Sequence, residues 1–137
     1  MTCECSTPTG DLILRTMAMP ADTNANGDMF GGWIMSQMDI AGGILAKEYS
    51  NGRTVTVAVS NIDFFSPIKV GDIVCCYGEI INTGKTSLTV NLEVWVTPIL
   101  RQTEKQCPSF KVTAAKFTYV AIDETGNKRV IKPANTD

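Results

Sequence analysis

Histidine is missing from all 137 residues of this sequence. Its absence excludes serine–histidine and cysteine–histidine catalysis, histidine-based proton transfer and the usual histidine-containing zinc sites. If the protein is an enzyme, its chemistry must come from carboxylates, amides, hydroxyls and backbone N–H groups.

An excess of basic residues is missing too, since 12 Lys and Arg residues stand against 14 Asp and Glu residues. Proteins that bind a phosphate backbone use such an excess to release the counterions of the nucleic acid. We therefore expect no nucleic-acid partner. The first residues, MTCECSTPTGD, lack a positive start followed by an apolar stretch, so we expect no secretory signal and a cytoplasmic protein.

No linker rich in Gly, Ser or Pro, no charged run and no internal repeat divides the chain. We therefore expect a single domain over residues 1–137. A chain of this length can bury roughly 65–70% of the surface that its unfolded form exposes. Its hydrophobic content of 44% is sufficient for such a core.

Cysteine occurs five times, and nothing in its spacing indicates a disulfide or a metal site. Cys75 and Cys76 are neighbours in an apparent strand, where adjacent side chains point to opposite faces. Cys3 and Cys5 lie in the N-terminal tail, and the chain has no CxxC motif. We therefore expect no disulfide and no bound metal, and we interpret buried cysteines as small apolar residues.

One long helix is predicted after a polar loop. Leu12 to Thr16 is a short extended segment, and Ala18 to Asp28 is rich in the Pro, Asn, Asp and Gly of irregular loops. Met29 to Ala46 then contains a single charge, Asp39. Apolar or small residues recur there at helical spacing, at Ile34, Met38, Ala41 and Leu45. Because this stretch also holds four glycines, we expect a buried helix and no membrane span.

The hydrophobic period changes from 3.6 to 2 after the helix, which predicts strands. Their predicted ranges are Thr54 to Ser60, Asp72 to Ile81, Leu88 to Val96 and Lys111 to Ile122. Short connections would make neighbouring strands antiparallel. Asp123 to Gly126 is a further turn, and no structure is predicted beyond it.

A single helix must then cover one face of the whole sheet. Gly42 and Gly43 in its middle cost about 1 kcal/mol each relative to alanine, so we infer that a curled sheet lies very close to the helix backbone. Ile40 and Ile44 lie on the opposite side of the helix and need a second covering surface. The pattern predicts an α+β domain that is at least a dimer.

Asp39 is the first candidate for chemistry. Its helical neighbours offer no opposite charge; they are Met35, Ser36, Gly42 and Gly43. A partly desolvated carboxylate at this position would be a stronger base or nucleophile. An Asp39 that is solvated, or that caps a neighbouring backbone, is an equally open interpretation.

Two further features lie at the helix start and in the loop before it. Gly31 and Gly32 open the helix, where unpaired N–H groups and the positive end of the dipole form the elements of an oxyanion hole. A tight turn into the helix explains this pair equally well. Asn24 lies in the loop, where asparagine most often turns or caps the backbone.

The combination of these residues in PADTNANGDMFGGWIMSQMDIAGGILA, residues 20–46, resembles the signature of bacterial YciA-like acyl-CoA thioesterases of the hotdog superfamily. The segments FFSPIKVGD, VCCYGEI and GKTS are similar as well, so the resemblance covers about residues 12–122. The two ends lie outside it, and we expect them to be flexible. The resemblance implies a hotdog fold, in which a five-stranded, mainly antiparallel sheet wraps one long central helix.

The resemblance also implies roles for four residues. Asp39 would be the catalytic carboxylate, and Asn24, contributed by the other subunit of a dimer, would orient the attacking water or the carbonyl. The backbone at Gly31 and Gly32 would polarise the thioester oxygen. Members of the family usually assemble as a hexamer, a trimer of dimers, and need no metal or prosthetic group. Whether Asp39 activates water or attacks the carbonyl itself stays open.

The implied activity is hydrolysis of fatty acyl-CoA thioesters, over a broad range of chain lengths, to free CoA and a carboxylic acid. Arg53, Lys85, Thr86 and Ser87 follow turn signals at strand starts and are candidate contacts for CoA phosphates. Thr56 is a candidate for lining the acyl site, whereas Trp33 is interpreted as a packing residue.

Two other functions compete with hydrolysis. The first is a non-catalytic sensor that binds acyl-CoA or a nucleotide on the same fold. The second is a hydratase or dehydratase that acts on 3-hydroxyacyl thioesters. Such hydratases generally rely on a catalytic histidine, which this chain lacks, so the second ranks below the first.

Overall fold

The computed structural model describes residues 5–102 and 107–131 of the chain. Strand β1 covers Asp11–Met17, and a short 3-10 turn follows at Pro20–Asp22. Helix α1 covers Gly31–Ser50. The remaining strands are β2 (Thr54–Phe64), β3 (Ile73–Thr83), β4 (Ser87–Thr97) and β5 (Phe110–Ala121).

The five strands form one sheet in the order β1-β3-β4-β5-β2, and every neighbouring pair is antiparallel. Hairpins join β3 to β4 and β4 to β5, whereas β2 lies at the far edge beside β5. The predicted α+β architecture with one helix and five antiparallel strands is confirmed. Its two sheet edges are β1 and β2.

The core lies between the helix and one face of the sheet. The predicted helix face is confirmed, because Ile34, Met38 and Ala41 are buried and Leu45 packs against the core. The sheet faces them with alternate side chains of β4 and β5, as expected for strands with one covered face. These buried residues include Leu88, Val90, Leu92, Val94, Phe117 and Tyr119.

The helix begins two residues later and ends four residues later than predicted. Met29 is part of the loop, where its N–H donates to the Ile68 carbonyl (2.8 Å). At the other end, the helix continues through the exposed Lys47 and Glu48 to the buried Ser50, and it ends where Asn51 takes a left-handed conformation. In the part of the chain described here, no helix is long and apolar enough to cross a membrane.

The close approach inferred from the helix glycines is confirmed at Gly42 and not at Gly43. A Cβ at Gly42 would stand 2.3 Å from the Tyr119 hydroxyl of β5, so only glycine fits there. A Cβ at Gly43 would meet no atom within 4 Å. The sheet supplies a second glycine at Gly78 of β3, where a Cβ would come within 2.8 Å of Leu45. Helix and sheet therefore pack closely because each has a glycine at the point of contact, Gly42 on α1 and Gly78 on β3.

An apolar surface stays uncovered on a single protomer. Ile40 and Ile44 on the outer side of α1 are 51% and 37% exposed. On the edge strand β2, Val55, Val57 and Val59 are also exposed. We call these five residues the open face. Exposed apolar side chains and an unpaired strand edge are common properties of interaction surfaces.

The expectation of no disulfide is wrong. Cys5 and Cys107 are joined by a disulfide that links the N-terminal segment to the connection between β4 and β5. The two residues are 102 positions apart, so their proximity depends on the packing of β1 and β4 and leaves no trace in local spacing. Cys75 and Cys76 are free, as predicted, and Cys76 is buried. Cys3 lies outside the described residues.

The chain beyond β5 makes defined contacts as far as residue 131, and the expected flexibility of the two ends stays a prediction. The predicted turn at Asp123 to Gly126 is present, and the chain then folds back so that the Arg129 N–H donates to the Ala121 carbonyl (3.0 Å). The Arg129 guanidinium donates to the Ser50 carbonyl (2.8 Å) and its hydroxyl (3.0 Å) at the C-terminal end of α1. One arginine therefore fixes this segment.

The two helix glycines provide a matched test of the helix–sheet contact. Gly42→Ala should lower the free energy of unfolding by about 1–3 kcal/mol, because the new methyl group overpacks against Tyr119. Gly43→Ala should leave it unchanged or raise it by up to about 1 kcal/mol, through the higher helix propensity of alanine. Urea denaturation of both variants measures the difference, and equal losses would contradict this account of the contact.

Candidate active site

Asp39 lies half-buried on α1 and is held by two hydroxyl groups of the sheet. Thr56 donates a hydrogen bond to Asp39 Oδ1 (2.6 Å), and the Tyr119 hydroxyl donates to the same oxygen (2.9 Å). The Tyr119 hydroxyl also lies 3.1 Å from the backbone carbonyl oxygen of Asp39. The expected partial desolvation of this carboxylate is therefore accompanied by specific donors.

Strand pairing explains why these two hydroxyls meet at one oxygen. Thr56 on β2 is the direct cross-strand partner of Tyr119 on β5, so both side chains stand on the same face of the sheet. Gly42, one turn after Asp39, leaves the space that the Tyr119 ring fills. Burial, and then its hydrogen bond to Asp39, raise the pKa of Tyr119 well above its ordinary value. The phenol is therefore a permanent donor at neutral pH.

The second carboxylate oxygen of Asp39 has no hydrogen-bond donor among residues 5–102 and 107–131. The carboxylate borders a cavity of about 300 Å³ between α1 and β2. Its lining combines polar and apolar groups: Ile40, Gly43, Ile44, Lys47, Thr54, Thr56 and Tyr119. Because Ile40 and Ile44 belong to the open face, this cavity lies beside the uncovered surface of the protomer.

Asn24 turns the loop before the helix, as one of its two interpretations requires. Its Oδ1 accepts hydrogen bonds from the N–H groups of Asn26 (2.9 Å) and Asp28 (3.1 Å). Both bonds use the oxygen, and the side-chain NH2 has no acceptor among the residues described. Asn24 is therefore a rigid loop residue whose amide can still donate to a ligand.

The start of α1 has free backbone donors, as predicted. Gly31 is the first helical residue, and the first bond within the helix runs from the Ile34 N–H to the Phe30 carbonyl (3.2 Å). Within the described chain, no side chain caps this end. A cavity of about 310 Å³ lies against it, lined in part by Asn24, Asp28 and Gly31. Gly32 adds no bulk, since even a Cβ there would meet nothing within 4 Å.

The four residues of the predicted centre thus fall into two groups within one protomer. Asn24 and Gly31 border one cavity, and Asp39 borders another. Gly31 and Asp39 are eight residues apart on one helix, a rise of about 12 Å. A single protomer does not bring them to one reacting carbonyl. The prediction that Asn24 acts on a neighbouring subunit's Asp39 accords with this separation and stays a prediction.

The candidate CoA contacts gather at one end of the molecule, with the exception of Thr56. The Arg53 carbonyl accepts from the Ile122 N–H (3.0 Å), and the Thr86 carbonyl accepts from the Ala121 N–H (2.8 Å). Lys85 lies in the same turn between β3 and β4, and Ser87 is the first residue of β4. Thr56 instead lines the Asp39 cavity, and its role at the acyl site stays a prediction. Trp33 packs partly buried against the core, as predicted.

Three residues of these surroundings were not predicted from the sequence. Tyr119 reads as one more apolar position of β5, and only the pairing with β2 reveals its contact with Asp39. Lys47 lies beyond the uncharged run that delimited the predicted helix, yet it lines the Asp39 cavity. Arg129 lies in the tail for which no structure was predicted. Within the described ranges, no three Cys, Asp or Glu residues are grouped to hold a metal ion.

Comparison with known proteins gives one consistent result. Residues 26–100 match the family described as the thioesterase superfamily. The chain is 54% identical over 129 residues to the acyl-CoA thioester hydrolase YciA of Salmonella typhimurium, covering 94% of this chain and 96% of that protein. It is 55% identical over 124 residues to the YciA protein of Escherichia coli K12, with coverages of 90% and 92%.

Solved structures agree with this result. A hexameric broad-specificity acyl-coenzyme A thioesterase superposes with a TM-score of 0.86 at 52% identity, covering 95% of this chain and 86% of that one. The hexameric thioesterase of Yersinia pestis gives 0.85 at 53%, with coverages of 93% and 100%. A hexameric hotdog-fold thioesterase of Campylobacter jejuni gives 0.80 at 41%, with coverages of 90% and 91%. The expected hotdog fold is confirmed.

The Tyr119 environment can be tested by alkaline titration. Because its folded-state pKa is raised above the ordinary value of about 10, the neutral phenol stabilises the fold below pH 10, and this contribution is lost as the pH rises further. Absorbance at 295 nm should show one tyrosine that ionises only on unfolding in the wild type. Tyr119→Phe should lose that late step, and an unchanged titration curve would contradict the assignment.

Proposed function

The chain belongs to the thioesterase superfamily, among the YciA-type acyl-CoA thioester hydrolases, and we propose that it hydrolyses fatty acyl-CoA thioesters with Asp39 as the catalytic carboxylate. One observation supports the choice of residue most directly. Two hydroxyl donors fix Oδ1 of Asp39, while Oδ2 faces no protein donor in the described chain. A carboxylate oriented in this way offers one defined oxygen to a water molecule or a carbonyl carbon.

Thr56 and Tyr119 serve as positioning residues in this proposal. Two hydrogen bonds to one oxygen restrict rotation of the carboxylate, and the uncharged donors leave its negative charge without a cationic partner. Both a general base and a nucleophile require these properties. The two routes share the same first requirement, an ionised Asp39 within reach of the thioester.

The backbone N–H groups of Gly31 and Gly32 polarise the thioester oxygen in the proposed reaction. They carry the positive end of the helix dipole and have no side chain that would block a carbonyl. Donors of this kind often contribute about 3–4 kcal/mol to a transition state. The amide of Asn24 borders the same cavity and orients the water or the carbonyl.

We propose that a dimer completes the site, in which Asn24 of the partner subunit meets Asp39 across the open face. The exposed isoleucines of α1 border the Asp39 cavity, and the exposed valines of β2 lie on the edge strand of the sheet. A twofold interface would bury that surface on both copies and create two identical sites. Three solved relatives are described as hexameric, so we extend the proposal to a trimer of dimers.

The leaving group explains how the reaction proceeds without histidine. A CoA thiolate has a pKa near that of free cysteine, about 8.5, so it can depart without a strong general acid. Water, one carboxylate and backbone amides therefore suffice, and the proposed reaction calls for no metal or prosthetic group.

The phosphates of CoA are assigned to the end of the molecule that carries Arg53 and the Lys85–Ser87 turn. Among the described residues, the side chains of Arg53 and Lys85 have no carboxylate partner, which leaves both cations for phosphates. Lys47 lines the reaction cavity two helical turns beyond Asp39, about 12 Å along the axis. A broad chain-length range is proposed for the acyl group.

Replacement of the carboxylate tests the function. Asp39→Asn should lower kcat on acyl-CoA by roughly a hundred- to ten-thousandfold, because the amide can neither accept a proton nor attack the carbonyl. Thiol release across short, medium and long acyl-CoAs measures it, and size-exclusion chromatography checks the assembly. Asp11→Asn, an exposed change on β1, is the control and should keep full activity. CoA binding with background thiol release in the wild type would favour the non-catalytic sensor instead.

Mixing of inactive subunits tests the shared site. If Asp39 and Asn24 act from different subunits, a hybrid dimer of Asp39→Asn and Asn24→Ala subunits contains one intact site. Random pairing should then restore roughly a quarter of wild-type activity. Each variant alone should stay slow. A mixture that is no faster than the two variants separately would show that both residues act within one subunit.

A further inference from the structure

A second carboxylate, Asp28, borders the cavity at the start of α1. It lies three residues before Gly31 and lines that cavity together with Asn24. Its side chain is 23% exposed, so solvent screens its charge only in part. A negative charge here opposes the negative charge that develops on a carbonyl oxygen at the Gly31 amide. An unpaired Asp28 would therefore weaken the stabilisation that the helix start supplies.

Lys69 faces this carboxylate from the loop between β2 and β3. Its ammonium group forms an ion pair with Asp28 Oδ1. The Lys69 backbone is held in place as well, since its N–H donates to Asp72 Oδ2 (3.0 Å). Asp72 is fully buried and is paired with the Arg101 guanidinium at 2.9 and 3.0 Å. Lys69 is therefore joined to Asp28 through its side chain and to the buried Asp72 through its backbone.

The loop keeps its position through backbone hydrogen bonds that do not involve this ion pair. The Met29 N–H donates to the Ile68 carbonyl (2.8 Å), and the Phe30 N–H donates to the Asp22 carbonyl (3.0 Å). The Asn24 N–H donates to the Asp28 carbonyl (2.7 Å). Because these bonds already fix the backbone, the Lys69 ammonium contributes chiefly its charge.

We propose that Lys69 is a positioning residue for catalysis, which neutralises Asp28 and so allows the start of α1 to accept a developing negative charge. This inference rests on the proposed function, because it assigns the oxyanion to the Gly31 end of the helix. The ion pair acts on the transition state and little on the bound substrate, whose thioester carbonyl is uncharged.

A set of charge changes separates this role from a structural one. Lys69→Met should lower kcat roughly ten- to a hundredfold, the effect of one unit charge a few ångströms from a forming charge, with KM within about threefold of the wild type. Addition of Asp28→Asn to Lys69→Met should restore kcat to within about threefold, because no carboxylate is left to neutralise. Asp28→Asn alone should not lower kcat, because it leaves the positive charge of Lys69 near the forming oxyanion.

The control is Lys116→Met, which removes an exposed lysine from β5 and should leave kcat unchanged. All variants are assayed as assembled oligomers by thiol release. A double variant as slow as Lys69→Met would overturn the inference, and so would full activity of Lys69→Met. Failure of Lys69→Met to assemble would overturn the inference too, because the ammonium would then be needed for folding or assembly.

The wild type in the same assay tests the proposed function separately. An inactive wild type contradicts the proposed function and the inference together. An active wild type whose Lys69→Met variant is slow and is not rescued by Asp28→Asn contradicts the inference alone.

Discussion

The contact between the Tyr119 hydroxyl and the backbone of α1 at Asp39 and Gly42 is the constraint on which the rest of the structure depends. The Tyr119 ring occupies the space that the side chain of any larger residue at position 42 would fill. Helix and sheet therefore lie so close that the Tyr119 hydroxyl reaches the backbone carbonyl oxygen and Oδ1 of Asp39. The same contact sets the depth of the core and the orientation of the carboxylate. Packing and site geometry are therefore one feature of this chain, since a shift of the helix by an ångström would break both.

Much of the fold could be predicted from hydrophobic periodicity. The spacing of apolar residues such as Met38 predicts the buried face of the helix, and their alternation at positions such as Val90 predicts the buried face of the strands. Long-range pairing cannot be read in this way. Tyr119 is 80 residues from Asp39, and Cys5 is 102 residues from Cys107, so no local pattern connects them. The resemblance supplied the site residues, whereas the donors around Asp39 required the register of β2 against β5. The contacts of Arg129 with Ser50 could not be predicted, because a single arginine after the last predicted strand gives no periodic signal.

The charges of the protein are distributed in two different ways around the two cavities. Around Asp39 the donors are hydroxyls, which orient a carboxylate without cancelling its charge. At the start of α1, Asp28 has a lysine partner, which cancels the charge of a carboxylate that has no chemical role in our proposal. Electrostatic preorganisation of this kind requires both arrangements. Asp39 must keep its negative charge, and the charge of Asp28 must be cancelled by a partner. Between the two cavities, residues 31–38 of α1 carry no charge.

The position of β2 at the sheet edge has a consequence for the order in which the chain folds. Its neighbour in the sheet is β5, the last strand to be synthesised, and roughly fifty residues separate the two. At ribosomal rates of about 5–20 residues per second, β2 waits several seconds for that partner. Until β5 is made, β2 is an unpaired strand with valines at positions 55, 57 and 59, and such a strand is prone to misassociation. Thr56 and Tyr119 meet only when this pairing forms, so the carboxylate acquires its orientation in the final step of chain folding.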